Sequence, residues 1–215
     1  MALSKVNFNS LNLTPTANKV VKFNSNNNGI EAGDVGGSMV LISTQTASSS
    51  AAISFTSGID STYKEYIFKF IDIHPSASNQ FEFQVSTNGG SSYGVNITST
   101  WFRSKHEEDD GGTDLQYVTS GDLAQSTNYQ RLQVPYTDND MSVSGTLHLF
   151  DPSNTTFVKH FMYTGHGYVF SNSEAISENA FVAGYVNSTS AINAIQFRLS
   201  SGNIDSGTIK LYGVS

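Results

Sequence analysis

The residues whose types could do chemistry fall into a few small groups. Glu107, Glu108, Asp109 and Asp110 form a run of carboxylates, and Asp114 follows two glycines. Calcium takes roughly six to eight oxygens, and a loop with glycines lets carboxylates and carbonyls converge on one ion. The spacing departs from that of an EF-hand loop, so calcium is at most a weak site here. The competing reading is a solvated charge run. Of the histidines His74, His106, His148, His160 and His166, none sits in an HExxH pair and no cysteine exists to join them. His166 is the most site-like, because Thr164-Gly165-His166-Gly167-Tyr168 would let a ligand come close. A tight turn explains the same glycines. Trp101, Tyr93, Tyr163 and Tyr168 are rings that could stack on sugars, so Trp101, Tyr163, His166 and Tyr168 make up the expected glycan-binding set. For any one of the rings a place in the core explains as much. No GxSxG elbow occurs, and the acids gather in one stretch rather than along strands beneath a cleft. No catalytic residue is assigned, and the chain is not expected to be an enzyme.

Those groups have to be carried by strands. In YKEYIFKFIDIHPSASNQFEFQV, Tyr66, Phe68 and Phe70 alternate with Ile67, Lys69 and Ile71. Phe81, Phe83 and Val85 alternate with Glu82, Gln84 and Ser86. A side-chain period of two in aromatic and β-branched residues belongs to half-buried strands. MVLISTQT, AAISFTS, VNITSTWF, LQYVT, YQRLQVPY, MSVSGTLHLF, FVKHFMYTGHGYVF, AFVAGYVN, AINAIQFRLS and GTIKLYGVS continue the pattern. Asn88-Gly89-Gly90 and SSGNIDSG read as hairpin turns, Gly145 as a bulge, and RSKHEEDDGGTD as an exposed loop. SNSEAISENAF could form one helical turn at best. The expected fold is all-β: an antiparallel β-sandwich, a jelly roll over residues 38–215, preceded by an extended N-terminal arm, residues 1–37.

Charged residues are only 13% of the 215, the net charge is −7, and there is no cysteine. Phosphate contacts dominate nucleic-acid affinity, so the acidity argues against a nucleic-acid partner. Lys64 with Lys69, and Arg103 with Lys105, read as isolated, solvated pairs. Disulfides and thiolate metal sites are excluded. No run is long enough to span a membrane. MALSKVNFNS lacks the apolar stretch of a signal peptide, so synthesis and retention in a cytoplasm are expected until lysis. Within residues 1–37, Val6, Phe8, Leu11, Leu13, Val20, Val21 and Phe23 are too sparse for a core. They suit either a tail without fixed structure or an arm that adds strands to a neighbouring subunit; the arm is the favoured reading. NSNNNGIEAGDVGG reads as a flexible link.

The series LISTQTASSSAAISFTSGIDSTYKEYIFKFIDIHP, FQVSTNGGSSYG, LHLFDPSNTTFVKHF and FVAGYVNSTSAINAIQFRLSSGNIDSGTIKLYGVS resembles a family of tailed-bacteriophage virion proteins found in marine and cyanobacterial phages. The resemblance covers about residues 40–215, and SSGNIDSGTIKLYGV is its most specific part. It implies a jelly-roll or concanavalin-like sandwich on the particle surface. It also implies attachment to the major capsid protein or other virion proteins, either as capsid decoration (cement) or on the tail or fibre. The family defines no catalytic residue. A homo-oligomer is expected, a trimer favoured, since closed symmetry satisfies every arm and edge strand. The alternative is a tail module that holds host glycans.

Overall fold

The computed structural model describes residues 19–24, 26, 28–34, 39–171 and 174–214. Contacts divide the chain into two units, Met1–Ser38 and Met39–Ser215. Val6, Phe8, Leu11 and Leu13 lie outside the described residues.

In the first unit, β1 (Lys19–Phe23) pairs antiparallel with β2 (Ile30–Asp34). Val20, Val21, Phe23 and Ile30 are all exposed. The stretch read as a flexible link therefore contains a strand, and β1 finds a partner within its own chain.

The second unit opens with β3 (Met39–Thr46), β4 (Ala52–Phe55), β5 (Glu65–Pro75) and β6 (Phe81–Ser86). Then come β7 (Ile97–Glu107), β8 (Thr113–Tyr117), β9 (Gln130–Gln133) and β10 (Val143–Phe150). It closes with β11 (Lys159–Ser171), β12 (Glu174–Val186), β13 (Ala194–Leu199) and β14 (Ile204–Val214). No helix occurs among the described residues, and Glu174 to Phe181 of SNSEAISENAF lie in β12 rather than in a helical turn.

These strands make an eight-stranded sheet, β3-β14-β5-β10-β11-β12-β7-β8, and a four-stranded sheet, β4-β13-β6-β9. Every pairing is antiparallel. Setting aside β7, β8, β11 and β12, the remaining strands in chain order run 1-8-3-6 in one sheet and 2-7-4-5 in the other. That is the strand order of a jelly roll. The β7–β8 and β11–β12 hairpins are insertions that widen one sheet only.

Between the sheets lies an aromatic core. Phe197 on β13 sits 5.3 Å from Phe68 and 5.0 Å from Phe70, both on β5 across the core. Phe83 of β6 meets Phe161 of β11 edge-on at 5.1 Å. Each such pair adds about 0.5–1.5 kcal/mol beyond its burial. The expected inward faces of β5, β6, β10, β13 and β14 are all buried.

The outward sides depart from expectation. All six residues of β6 are buried, because the connections on either side of the β7–β8 hairpin cover it. Gln84 Nε2 reaches the carbonyls of Val95, Thr127 and Asn128 at 3.1, 3.2 and 3.0 Å. The two expected hairpins also differ. Gly89 and Gly90 have the positive φ expected of them, 71° and 86°, yet β6 and β7 lie in different sheets, as do β13 and β14. The expected bulge at Gly145 is real but its extra residue lies on β5, where Asp72 takes φ 51°.

Candidate functional site

Two places on the second unit carry side chains that packing alone does not explain. The first is the outer face of the eight-stranded sheet. Register places Phe181, Phe102 and Tyr117 side by side across β12, β7 and β8, and the Phe102 and Phe181 rings stack at 4.9 Å. Leu115, two residues from Tyr117, shares its face. Met162, Phe150 and His148 complete an apolar groove of about 420 Å³ with the two phenylalanines. Phe102 is 39% exposed, Met162 56%, Tyr117 49% and Leu115 74%. His148 Nδ1 contacts Glu65 Oε1 at the groove's polar end. Among the described strands β8 is the outermost of its sheet, exposed at all five residues, so its outer edge adjoins this apolar surface. The other edge strand, β3, begins with Met39, Val40 and Leu41, all exposed.

The second place lies where the inserted hairpins widen the sheet beyond the four strands opposite. Trp101 of β7 is wholly buried, and its Nε1 donates to the Leu132 carbonyl at 3.2 Å. A Cβ on Gly121 would lie 2.9 Å from the indole Cγ, so only glycine lets the β8–β9 connection press against the ring. The Arg131 guanidinium lies over that indole at 4.6 Å. Close by, Glu178 of β12 is only 2% exposed. A buried carboxylate needs partners, and Glu178 has two: Gln133 Nε2 at 3.0 Å and Arg103 Nη1. Tyr163 donates its hydroxyl to Gln133 Oε1 at 3.4 Å, and burial, then the charge of Glu178, push its phenol well above its ordinary range. Arg103 and Lys105 are thus inward, paired residues rather than a solvated pair: Lys105 Nζ holds Glu107 Oε1 at 3.0 Å.

Several expected site residues move accordingly. Trp101 and Tyr163 are core residues with no ring face left for a sugar. His166 is exposed on β11, with Nε2 2.8 Å from Ser177 Oγ, and the glycines beside it belong to a strand rather than a turn. Tyr168 donates to Glu108 Oε2 at 3.2 Å. The expected glycan set is therefore split between core and surface. Tyr93 has a buried hydroxyl without a hydrogen-bond partner among the described residues.

The acidic stretch is a strand end and tight tip, not one long loop. Its carboxylates are used separately: Glu107 on Lys105, Asp110 on His106, Asp109 on the Gly111 N–H, Glu108 on Tyr168. Asp114 stands within β8 opposite Lys105. No group of three acidic or imidazole ligands converges among the described residues, so a calcium site on Glu107, Glu108, Asp109, Asp110 and Asp114 has no geometry behind it.

Arg131, Gln133 and Glu178 did not stand out in the sequence. Alternation in YQRLQVPY hinted only that polar residues share a strand with Leu132. No protein family, curated protein or solved structure matches the chain.

Proposed function

We propose that this chain is a virion structural protein, a capsid decoration subunit that works by attachment and not by catalysis. One observation carries the reading: an apolar outer sheet face, from Met162 and Phe102 to Leu115 at 74% exposure, that ends on a strand edge with no pairing strand among the described residues. Monomeric proteins usually blunt such edges with charge or cover them, and contiguous exposed apolar surface marks interaction sites. The resemblance of residues 40–215 to tailed-phage virion proteins supplies the setting. The partners are the major capsid protein or other virion proteins, together with further copies of this chain. A trimer would satisfy each open edge by closed symmetry. β1 and β2, with their exposed apolar residues, are the natural gripping element. The location is the virion surface.

Quantitative mass spectrometry of purified particles tests this. On the order of hundreds of copies per particle supports decoration, whereas about six or twelve, a tail's symmetry, favours a tail or fibre position. Absence from the particle refutes both. In solution, Leu115→Lys places a charge on the β8 edge, and light scattering should show weaker self-association than the wild type. An unchanged mass distribution would detach the oligomer from this face.

A further inference from the structure

A guanidinium with no hydrogen-bonded or ion-paired partner among the described residues stands on β9. Arg131 is partly buried, yet none of its side-chain nitrogens has a hydrogen-bond or ion-pair partner among the described residues, and its Nε is sealed from solvent unpartnered. Its one specific contact is the indole of Trp101. Burial lowers its pKa, partly offset by Glu178 and reinforced by the like charge of Arg103. Arginine stays charged even so, and an unpaired, partly desolvated charge is costly unless something else meets it.

Arg131 lines a cleft of about 220 Å³ with Arg103, Glu178, Val134, Tyr136, Val169 and Phe170. Two guanidiniums face one carboxylate there, which leaves one positive charge unbalanced in a chain whose net charge is −7. Glu178 cannot neutralise both, because its oxygens are taken by Arg103 and Gln133. The acids of the adjoining cleft are committed too: Glu82 to Arg198 Nε at 2.9 Å and Asp122 to the Tyr117 hydroxyl at 2.6 Å. The opposite wall is aromatic and aliphatic, with Tyr136 and Phe170 edge-to-face at 6.0 Å.

We propose that this cleft is a binding site for a small organic carboxylate, with Arg131 as the primary receptor and Arg103 as a second positive charge. A monoanion matches the single excess charge, whereas a dianion would meet Glu178. A planar carboxylate matches the fork of a guanidinium, and Tyr136 with Phe170 packs the ligand's carbon body. The cleft is sized for a monosaccharide acid. This inference stands apart from particle attachment, since Arg131, Arg103 and Glu178, which carry its charges, lie outside the apolar groove of the outer sheet face.

The single tryptophan reports on the site directly, because Arg131 covers Trp101. Full-length protein is titrated with glucuronate, with glucose as neutral control and glucose 6-sulfate as a tetrahedral monoanion. Glucuronate should change the Trp101 emission saturably and raise Tm, and glucose should do neither. Arg131→Met keeps the stem and removes the charge. It should melt no lower than wild type without ligand, and bind glucuronate at least roughly tenfold more weakly, as loss of a charge-assisted pair implies. Arg131→Lys should fall between the two. A wild type blind to glucuronate, or an Arg131→Met variant that responds equally, overturns the site. Tighter binding of the sulfate ester overturns its assignment to carboxylates.

Discussion

Asp60 shows how single side chains tie this molecule's stability to pH. Its carboxylate accepts the Thr62 N–H at 2.8 Å and the Tyr66 hydroxyl at 3.0 Å. Those bonds, Thr62 first, hold its pKa below the ordinary aspartate value. Asp151 is held down in the same direction by Asn154 and then Lys64. In both, the folded state holds the proton more weakly than the unfolded chain. Their stabilisation is therefore complete above the unfolded value of about 3.9 and fades as pH falls through it toward the lower folded value. Glu82 runs the other way: burial raises its pKa against the pull of Arg198, so its contribution is greatest in acid and shrinks as pH rises. Glu82 is common to wild type and an Asp60→Asn variant, so it cancels in a comparison. The wild-type urea midpoint should drop more steeply than the variant's between about pH 5 and pH 3. Parallel curves would show that Asp60 contributes no linkage. At this scale the sequence was a partial guide. Alternation placed Phe68, Phe83 and Phe197 inward correctly, because burial of large apolar side chains follows the strand period. It could not show that Glu178 is drawn inward too, since its partners Arg103 and Gln133 come from strands distant in the chain.

Between elements, β5 and β14 share a double irregularity that shapes the β3 side of the large sheet. Their register shifts twice, at Ile204/Ser206 and Ser206/Thr208. Asp72 on one strand has φ 51° and Gly207 on the other has φ 120°. Inward positions on β5 accordingly jump from Phe70 to Ile73, a step that plain alternation does not contain. Such bulges add local twist, and a jelly-roll sheet needs twist to curve over its partner. A Cβ on Gly207 would stand 2.7 Å from the Asp72 carbonyl and 2.9 Å from Ile73 Cα. Gly207→Ala therefore meets both an unfavourable φ and rigid backbone, and should cost about 1–3 kcal/mol. Chemical denaturation would read it, and Gly89→Ala is the instructive control: φ there is also positive, 71°, but no atom lies within 4 Å of the added methyl. If both lose the same amount, close packing between β5 and β14 adds nothing. The sequence announced the strands of this sheet but not their partners. Glycines at 89–90 and 202–207 advertise a change of direction, which is a local property. Whether the chain then returns to the same sheet or crosses to the other is decided by which apolar face it must cover.

For the whole molecule, the question is how far attachment and folding are separable. Among the described residues, every member of the hydrophobic core lies in the second unit, from Ile42 and Ala47 to Leu211. The hairpin of the first unit exposes its apolar side chains instead of burying them in a core of its own. A chain reduced to Met39–Ser215 should then keep the melting temperature of the full protein, because it retains every core residue among those described. What it removes is β1, β2 and the apolar residues that precede them, which are the elements assigned to gripping the particle. Mixed with particles stripped of this protein, the shortened chain should fail to rebind while the full chain does, and its Trp101 response to glucuronate should survive. If truncation lowers the melting temperature substantially, the first unit is part of the fold and its exposed apolar residues need another account. If the shortened chain rebinds as well as the full one, the outer sheet face alone carries attachment, and Leu115→Lys in the shortened chain becomes the decisive variant.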